Sequence, residues 1–326
     1  MLQSLVMHIL FLGSKPTDRH LEVLINESVN NGHKVTVISN PISCIFTPFM
    51  SIDTIHVHSW KSTIILRLVM PFIKSTTTIW TISNLPEFSN ANIQSLFQRF
   101  ILFIASKFTT ICTPSRMVQY RLLALYSVKS EYIPDGYTVP ILPDIRPAVF
   151  GLRKEQYGIV FAENADQLKQ ISKTTKSLLL KKKLVLFSDR TYSGFKSINL
   201  PLTSRGAQSL VRQAAFIICA DPAYSSLALL AMDAGRNVIA TTDPLHEELF
   251  GTTAQYYQKN DSTQLRYLLQ GTLKNRTLNT AAQVRAKNHF QWDKITQEYM
   301  RVYRHSPIVL VPFDSIIPRN SFQTAE

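Results

Sequence analysis

Cysteine is scarce: only Cys44, Cys112 and Cys219 occur among 326 residues. An odd, widely spaced set makes neither a disulfide framework nor a metal-ligand cluster, and it fits a reducing compartment. Cys112 and Cys219 sit in apolar runs and read as buried free thiols. Negative charge is also scarce, with 22 Asp and Glu against 35 Lys and Arg and a net charge of +13. Such a surface attracts phosphoryl groups, anionic lipid headgroups or nucleic acid. There is no zinc-finger spacing, no arginine-rich arm and no short repeat that interleaves aromatic with basic residues, which ranks nucleic acid below the other two. Long apolar runs are missing. The stretches near 63–73 and 100–104 fall short of the roughly 18 residues a spanning helix needs, and Arg67 and Lys74 break up the first. The N-terminus lacks the basic region of a secretory leader, and Met7 could itself open a chain. A soluble, cytoplasmic protein is expected, with peripheral contact at the inner face of a membrane.

What is present is a globular composition, 45% hydrophobic and 17% charged, rich enough for one large core or two ordinary ones. Apolar strand candidates recur at 7–13, 34–39, 52–59, 76–83, 107–115 and 130–134. Helix-length segments at 18–31, 60–73, 90–106 and 115–127 separate them. Apolar strands spaced by helices predict a parallel sheet covered on both faces. The alternation resumes at 157–162, 182–189, 214–220, 237–242 and 254–257, with helices at 225–234, 261–272 and 279–303. Between the halves, Pro134, Pro140, Pro143 and Pro147 forbid a continuous helix or central strand. The expected division is a Rossmann-like unit over 1–140, a linker over 141–156, a second Rossmann-like unit over 157–303 and a tail over 304–326. Open α/β sheets bind ligands beyond the carboxyl ends of their strands, which directs attention to Gly13, His58, Asp189, Asp221 and Asp243.

These pieces, in order, resemble retaining glycosyltransferases of the GT-B fold, in the large family numbered four. "MHILFLGS" and "NNGHKVTVIS" are similar to that family's opening strand, helix and second strand. "IDTIHVHS" resembles its next strand, and "CTPSRMVQYRL" its later strand and helix start. "YIPDGYTVPILPD" resembles the turn into the second domain. "SSLALLAMDAGRNVIATTD" resembles the nucleotide-sugar segment, and "QWDKITQEYMRVY" the closing helix. The resemblance implies two Rossmann-like α/β/α domains facing across a cleft, the first on the acceptor side and the second on the nucleotide-sugar side. It also implies a metal-independent, retaining hexosyl transfer that needs no cofactor beyond the donor.

The sequence departs from that family where donor chemistry is concentrated. The family's paired glutamates fall on Pro222 and Leu230 when counted back from Met232, and leucine cannot accept a hydrogen bond from a ribose. Asp221 could stand in for the first acid. The glycine-arginine pair and lysine that compensate the diphosphate are reduced to Lys169 in "FAENADQLKQ", and Arg190 is the candidate replacement cation. Ser225 and Ser226 open a helix, either as ordinary caps or as N–H donors to a phosphate. The histidine expected after "TIWTI" is Ser83 or Asn84, and the glycine-rich opening loop shrinks to "GSKPTD", beginning at Gly13.

On the acceptor side, His58 and Asp135 are the residues expected to orient the incoming group. His56 and His58 alternate on one strand, but a catalytic zinc wants three protein ligands and no third follows at useful spacing. Both histidines also read as structural residues, and Asp135–Gly136 as plain turn chemistry. Asp243, Glu247 and Glu248 follow a strand as a capped helix start or a loop near the sugar. The expected partners are a nucleotide sugar, a glycan or lipid-linked acceptor such as a cell-surface polysaccharide, an anionic membrane and a protein partner. Three readings stay open: an active glycosyltransferase, an inactive GT-B scaffold supporting another enzyme, and a sugar-phosphate or nucleotide module of another α/β class.

Overall fold

A computed structural model describes residues 6–12, 19–40, 43, 51–58, 62–63, 77–82, 102–103, 106, 109–139, 143–162, 164–176, 178, 183–275 and 277–304. Two parallel six-stranded sheets organise them. In the first, β1 (His8–Leu12), β2 (Lys34–Ile38), β3 (Thr54–Val57), β4 (Thr77–Thr81), β5 (Thr110–Thr113) and β6 (Glu131–Tyr132) pair in the order β2-β1-β3-β4-β5-β6. The second holds β7 (Tyr157–Phe161), β8 (Lys183–Phe187), β9 (Phe195–Ile198), β10 (Phe216–Cys219), β11 (Asn237–Thr241) and β12 (Gln255–Tyr257), in the order β12-β11-β10-β7-β8-β9. β1, β3, β4, β7 and β10 are buried or nearly so along their whole length. Strands covered on both faces need continuous apolar or well-bonded residues, and that is what these runs supply.

Helices α1 (Arg19–Asn30) and α2 (Arg116–Tyr126) belong to the first half. The second contains α3 (Ala165–Thr175), α4 (Arg205–Gln213), α5 (Ser225–Asp233), α6 (Pro244–Phe250), α7 (Ser262–Lys274), α8 (Thr280–His289) and α9 (Trp292–Tyr303). Local chemistry sets many of their starts. Ser115, Asn164, Ser204, Asp243, Asp261 and Asn279 each accept a backbone N–H in the first turn of the helix they precede. Gly32 ends α1 at φ 81°, where glycine avoids the Cβ clash of the left-handed region.

The sequence predicts one helix over 279–303; the structure breaks it in two. At the break, the Phe290 carbonyl accepts the Tyr137 amide at 3.0 Å, and Gln291 bridges Tyr137. The segment after β6 thus captures a backbone carbonyl that a continuous helix would have used itself. The sequence places the second piece, α9, in the second unit, yet its apolar face lies on the first sheet. Trp292, Ile295, Tyr299, Met300, Val302 and Tyr303 share a core with Ile9, Phe11, Leu24, Ile79 and Cys112. The helices expected at 60–73 and 90–106 fall largely outside the described residues, as does the tail from 305.

Candidate functional site

Each sheet has a place where consecutive connections leave its middle in opposite directions, and open α/β sheets hold ligands at such points. In the first, β1 lies between β2 and β3; in the second, β7 lies between β8 and β10. His58 follows β3 and donates its amide to the Leu12 carbonyl at 3.0 Å, so it sits beside the end of β1. Gly13, the other residue expected there, lies outside the described residues, as do Ser83 and Asn84.

His58 rests on a network that sequence reading missed. Its ring lies 4.2 Å from that of His56, centroid to centroid. His56 is fully buried, and both its ring nitrogens are engaged, Nδ1 with the Tyr303 hydroxyl and Nε2 with the Thr81 hydroxyl, each at 2.7 Å. A neutral imidazole donates from one nitrogen and accepts at the other, so this buried pairing is complete without a metal. Tyr299 packs 5.3 Å away. The signal was present in "QEYMRVY", whose two tyrosines lie one helical turn apart, but nothing in the sequence names the strand they meet. Among the described residues, no group of three or more His, Cys, Asp or Glu is gathered to hold a metal ion.

Asp135 is exposed on the linker turn. Its neighbour Gly136 is buried for a packing reason. A Cβ there would come within 2.6 Å of Ile295 Cδ1 and 2.9 Å of the Phe290 carbonyl oxygen. The Asp-Gly turn is therefore required by the approach of α9.

At the second switch point the strand ends are filled. Phe161, the last residue of β7, stacks between Phe187 at 6.3 Å and Tyr224 at 5.4 Å, the latter nearly parallel at 11°. The space left beside Ala162, Leu186 and Leu202 is about 20 Å³, room for about one water and not for a ring. Leu230, at the position compared with the family's second glutamate, is 1% exposed and belongs to the main core of this unit.

The phosphate candidates stand around this plug. Asp221 accepts the Ala223 amide at 2.9 Å and so caps the short 3-10 turn Pro222–Tyr224. That turn displaces both serines from the capping position, which Tyr224 occupies without a side-chain bond. Ser225 donates both its hydroxyl, at 2.7 Å, and its amide to the Pro222 carbonyl. Ser226 is half-buried at the second position of α5. Lys169 is 81% exposed and lies 3.7 Å from Asp166 on the same face of α3. Arg190 sits exposed on the turn after β8, its amide bonded to the Ser188 hydroxyl at 3.0 Å. Because β8 and β10 flank β7, Arg190 and Asp221 leave the sheet on opposite sides of it.

Two buried groups border this end. Cys219 Sγ lies 3.5 Å from His246 Nε2, and the Thr241 hydroxyl and carbonyl meet His246 Nδ1 at 3.2 and 3.1 Å. Burial pushes the thiol far up and lowers the imidazole, so both are neutral and hold the start of α6 against the sheet.

No protein-family model and no curated protein matches the chain. Solved structures do match along nearly its whole length. A glycosyltransferase from Rickettsia africae superposes with a TM-score of 0.71 at 12% identity, covering 92% of this chain and 98% of that one. HepE from Anabaena, crystallised with UDP and glucose, gives 0.69 at 14% identity, covering 91% and 99%. Sucrose-phosphate synthase from Thermosynechococcus elongatus gives 0.68 at 13%, covering 91% and 98%. At such identities the likeness concerns architecture, and fold by itself does not assign chemistry. With its two parallel sheets, each flanked by helices, the chain has the two-domain Rossmann-like GT-B architecture.

Proposed function

We propose that this protein transfers a hexosyl group from a nucleotide sugar to a polysaccharide or lipid-linked acceptor, with retention and without a metal, as the family-four resemblance implies. One observation carries the reading: 91% of the chain superposes on HepE, a protein solved with UDP and glucose. In this scheme the donor lies at the carboxyl end of the second sheet. The charge that develops on its diphosphate meets Arg190, Lys169 and the Ser226 amide at the start of α5, while Asp221 holds the turn that leads into that helix. Gly13 gives the donor close approach to the first unit's backbone. His58 and Asp135 orient the acceptor against the leaving group, where positioning alone lowers the barrier substantially. The reaction takes place in the cytoplasm, with the basic surface resting on the inner face of a membrane. Entry of the donor requires Tyr224 to leave its stack on Phe161.

The second reading, an inactive GT-B scaffold supporting another glycosyltransferase, is favoured by the plug of Phe187, Phe161 and Tyr224 and by Leu230 in the core. Calorimetric titration of the full chain with UDP, GDP and their common sugars separates the two. Transfer predicts saturable binding that disappears in Arg190→Ala and Ser226→Pro. Absence of heat across the whole panel, with the protein folded, removes the transferase and leaves the scaffold.

A further inference from the structure

The junction between the two halves closes on one carboxylate. Glu248 belongs to α6 in the second half, but its side chain reaches α2 in the first. The Arg116 amide donates to both carboxylate oxygens, at 2.9 and 3.0 Å, and the Ser115 hydroxyl donates to Oε2 at 3.1 Å. Over the Tyr132 ring lies the Arg116 guanidinium, 4.4 Å from its centroid. The opening amides of a helix have no intrahelical acceptor, and α2 has no acid of its own in its first turn. Glu248 supplies that acid from 132 residues away, where the helix dipole favours it.

The other side of the contact is equally fixed. Arg285 on α8 donates to the Glu248 carbonyl at 2.7 Å and to the Leu249 carbonyl at 2.8 Å. Gly251, at φ 53°, makes room for this: a Cβ there would sit 3.0 Å from Arg285 Cζ. Burial raises the Glu248 carboxyl above its ordinary range, and the bonds from the Arg116 amide and the Ser115 hydroxyl pull it back.

The two chain crossings between the halves run side by side, joined where Tyr137 bridges Gln291. A single paired crossing leaves an axis about which two bodies can turn, and a second attachment removes that freedom. We infer that Glu248 is this second attachment: a positioning residue that latches α6 to the start of α2 and sets the angle at which the two halves are held. The latch holds whether or not a sugar is transferred, so its test reads no sugar chemistry.

Small-angle scattering and amide hydrogen exchange on the full chain test it. In Glu248→Ala the radius of gyration rises, and the Arg116 and Met117 amides exchange at least about tenfold faster. Glu248→Gln, which keeps one acceptor oxygen, falls between the two. Faster exchange with an unchanged radius of gyration makes Glu248 a helix cap and overturns the latch, as does an unchanged result in both measurements. Should Glu248→Ala fail to fold, the variant Ser115→Ala removes the hydroxyl donor and leaves the carboxylate in place. It is expected to open the molecule in the same direction, and scattering identical to the parent's overturns the proposal.

Discussion

Strands β3, β4 and β5 of the first sheet bury Thr54, His56, Thr77, Thr78, Thr81 and Thr113, whereas β7, β8 and β10 of the second bury chiefly Ile, Val, Leu and Phe. The two sheets share a strand arrangement but not a filling. In the first, buried polar groups must find partners, and the partners of His56 come from a neighbouring strand and from α9, as far as 247 residues away. In the second, the switch point is closed by stacked rings that need no directional bond. The first sheet is thus specified by hydrogen bonds, which tolerate little change, and the second by volume, which tolerates reshaping.

Breaking the comparison at its strongest point means putting charge where the second sheet has hydrocarbon. Leu230→Glu, although it restores the residue type of the family pattern, places a carboxylate at a site 1% exposed and is expected to cost more than about 3 kcal/mol in urea unfolding. The converse change in the first sheet, His56→Phe, strands the Tyr303 hydroxyl and takes one partner from Thr81, and a loss of about 2–3 kcal/mol follows in the same assay. Tyr224→Ala removes a half-buried ring from the stack. It should lower stability by about 1.5 kcal/mol and widen the cavity beside Phe161, visible as binding of small aromatic probes that the parent rejects.

Acid sharpens the contrast further. Burial holds His246 below its ordinary value of 6.5, so the unfolded chain takes up a proton before the folded one does. The stability this histidine contributes is complete above about pH 6.5 and is lost as pH falls through the lower, folded value. Melting temperature should therefore fall between pH 7 and 5, with a shallower slope in His246→Gln. The smallest effect belongs to Lys169→Ala. Its contact with Asp166 is exposed to solvent, and the change in stability should stay below about 0.5 kcal/mol.

The sheets were largely legible because apolar strands alternating with helices admit few arrangements, and Asp243 was readable as a cap because Asp-Pro before a helix has one common use. Other features were not. A helix's periodicity says which face is buried but not against what, so α9 read as part of the unit that precedes it in sequence. Ser225 and Ser226 read as caps or as phosphate donors at a helix start, and nothing in the sequence shows the 3-10 turn at Pro222–Tyr224 that moves the capping position to Tyr224. Phe161 and Phe187 each end a strand candidate, "YGIVFA" and "KLVLFS", yet only the fold puts them side by side under Tyr224. Glu248 looked like any acid near a helix start, since its acceptor role belongs to a helix 132 residues earlier.

The return of α9 to the first sheet also orders events during synthesis. A ribosome releases residues 7–133 long before Tyr299 and Tyr303, so the earlier half must wait, its buried histidine unanswered and its sheet partly bare. The later half is continuous from 157 to 289 and can finish first. The first sheet is covered in full only once α9 has emerged.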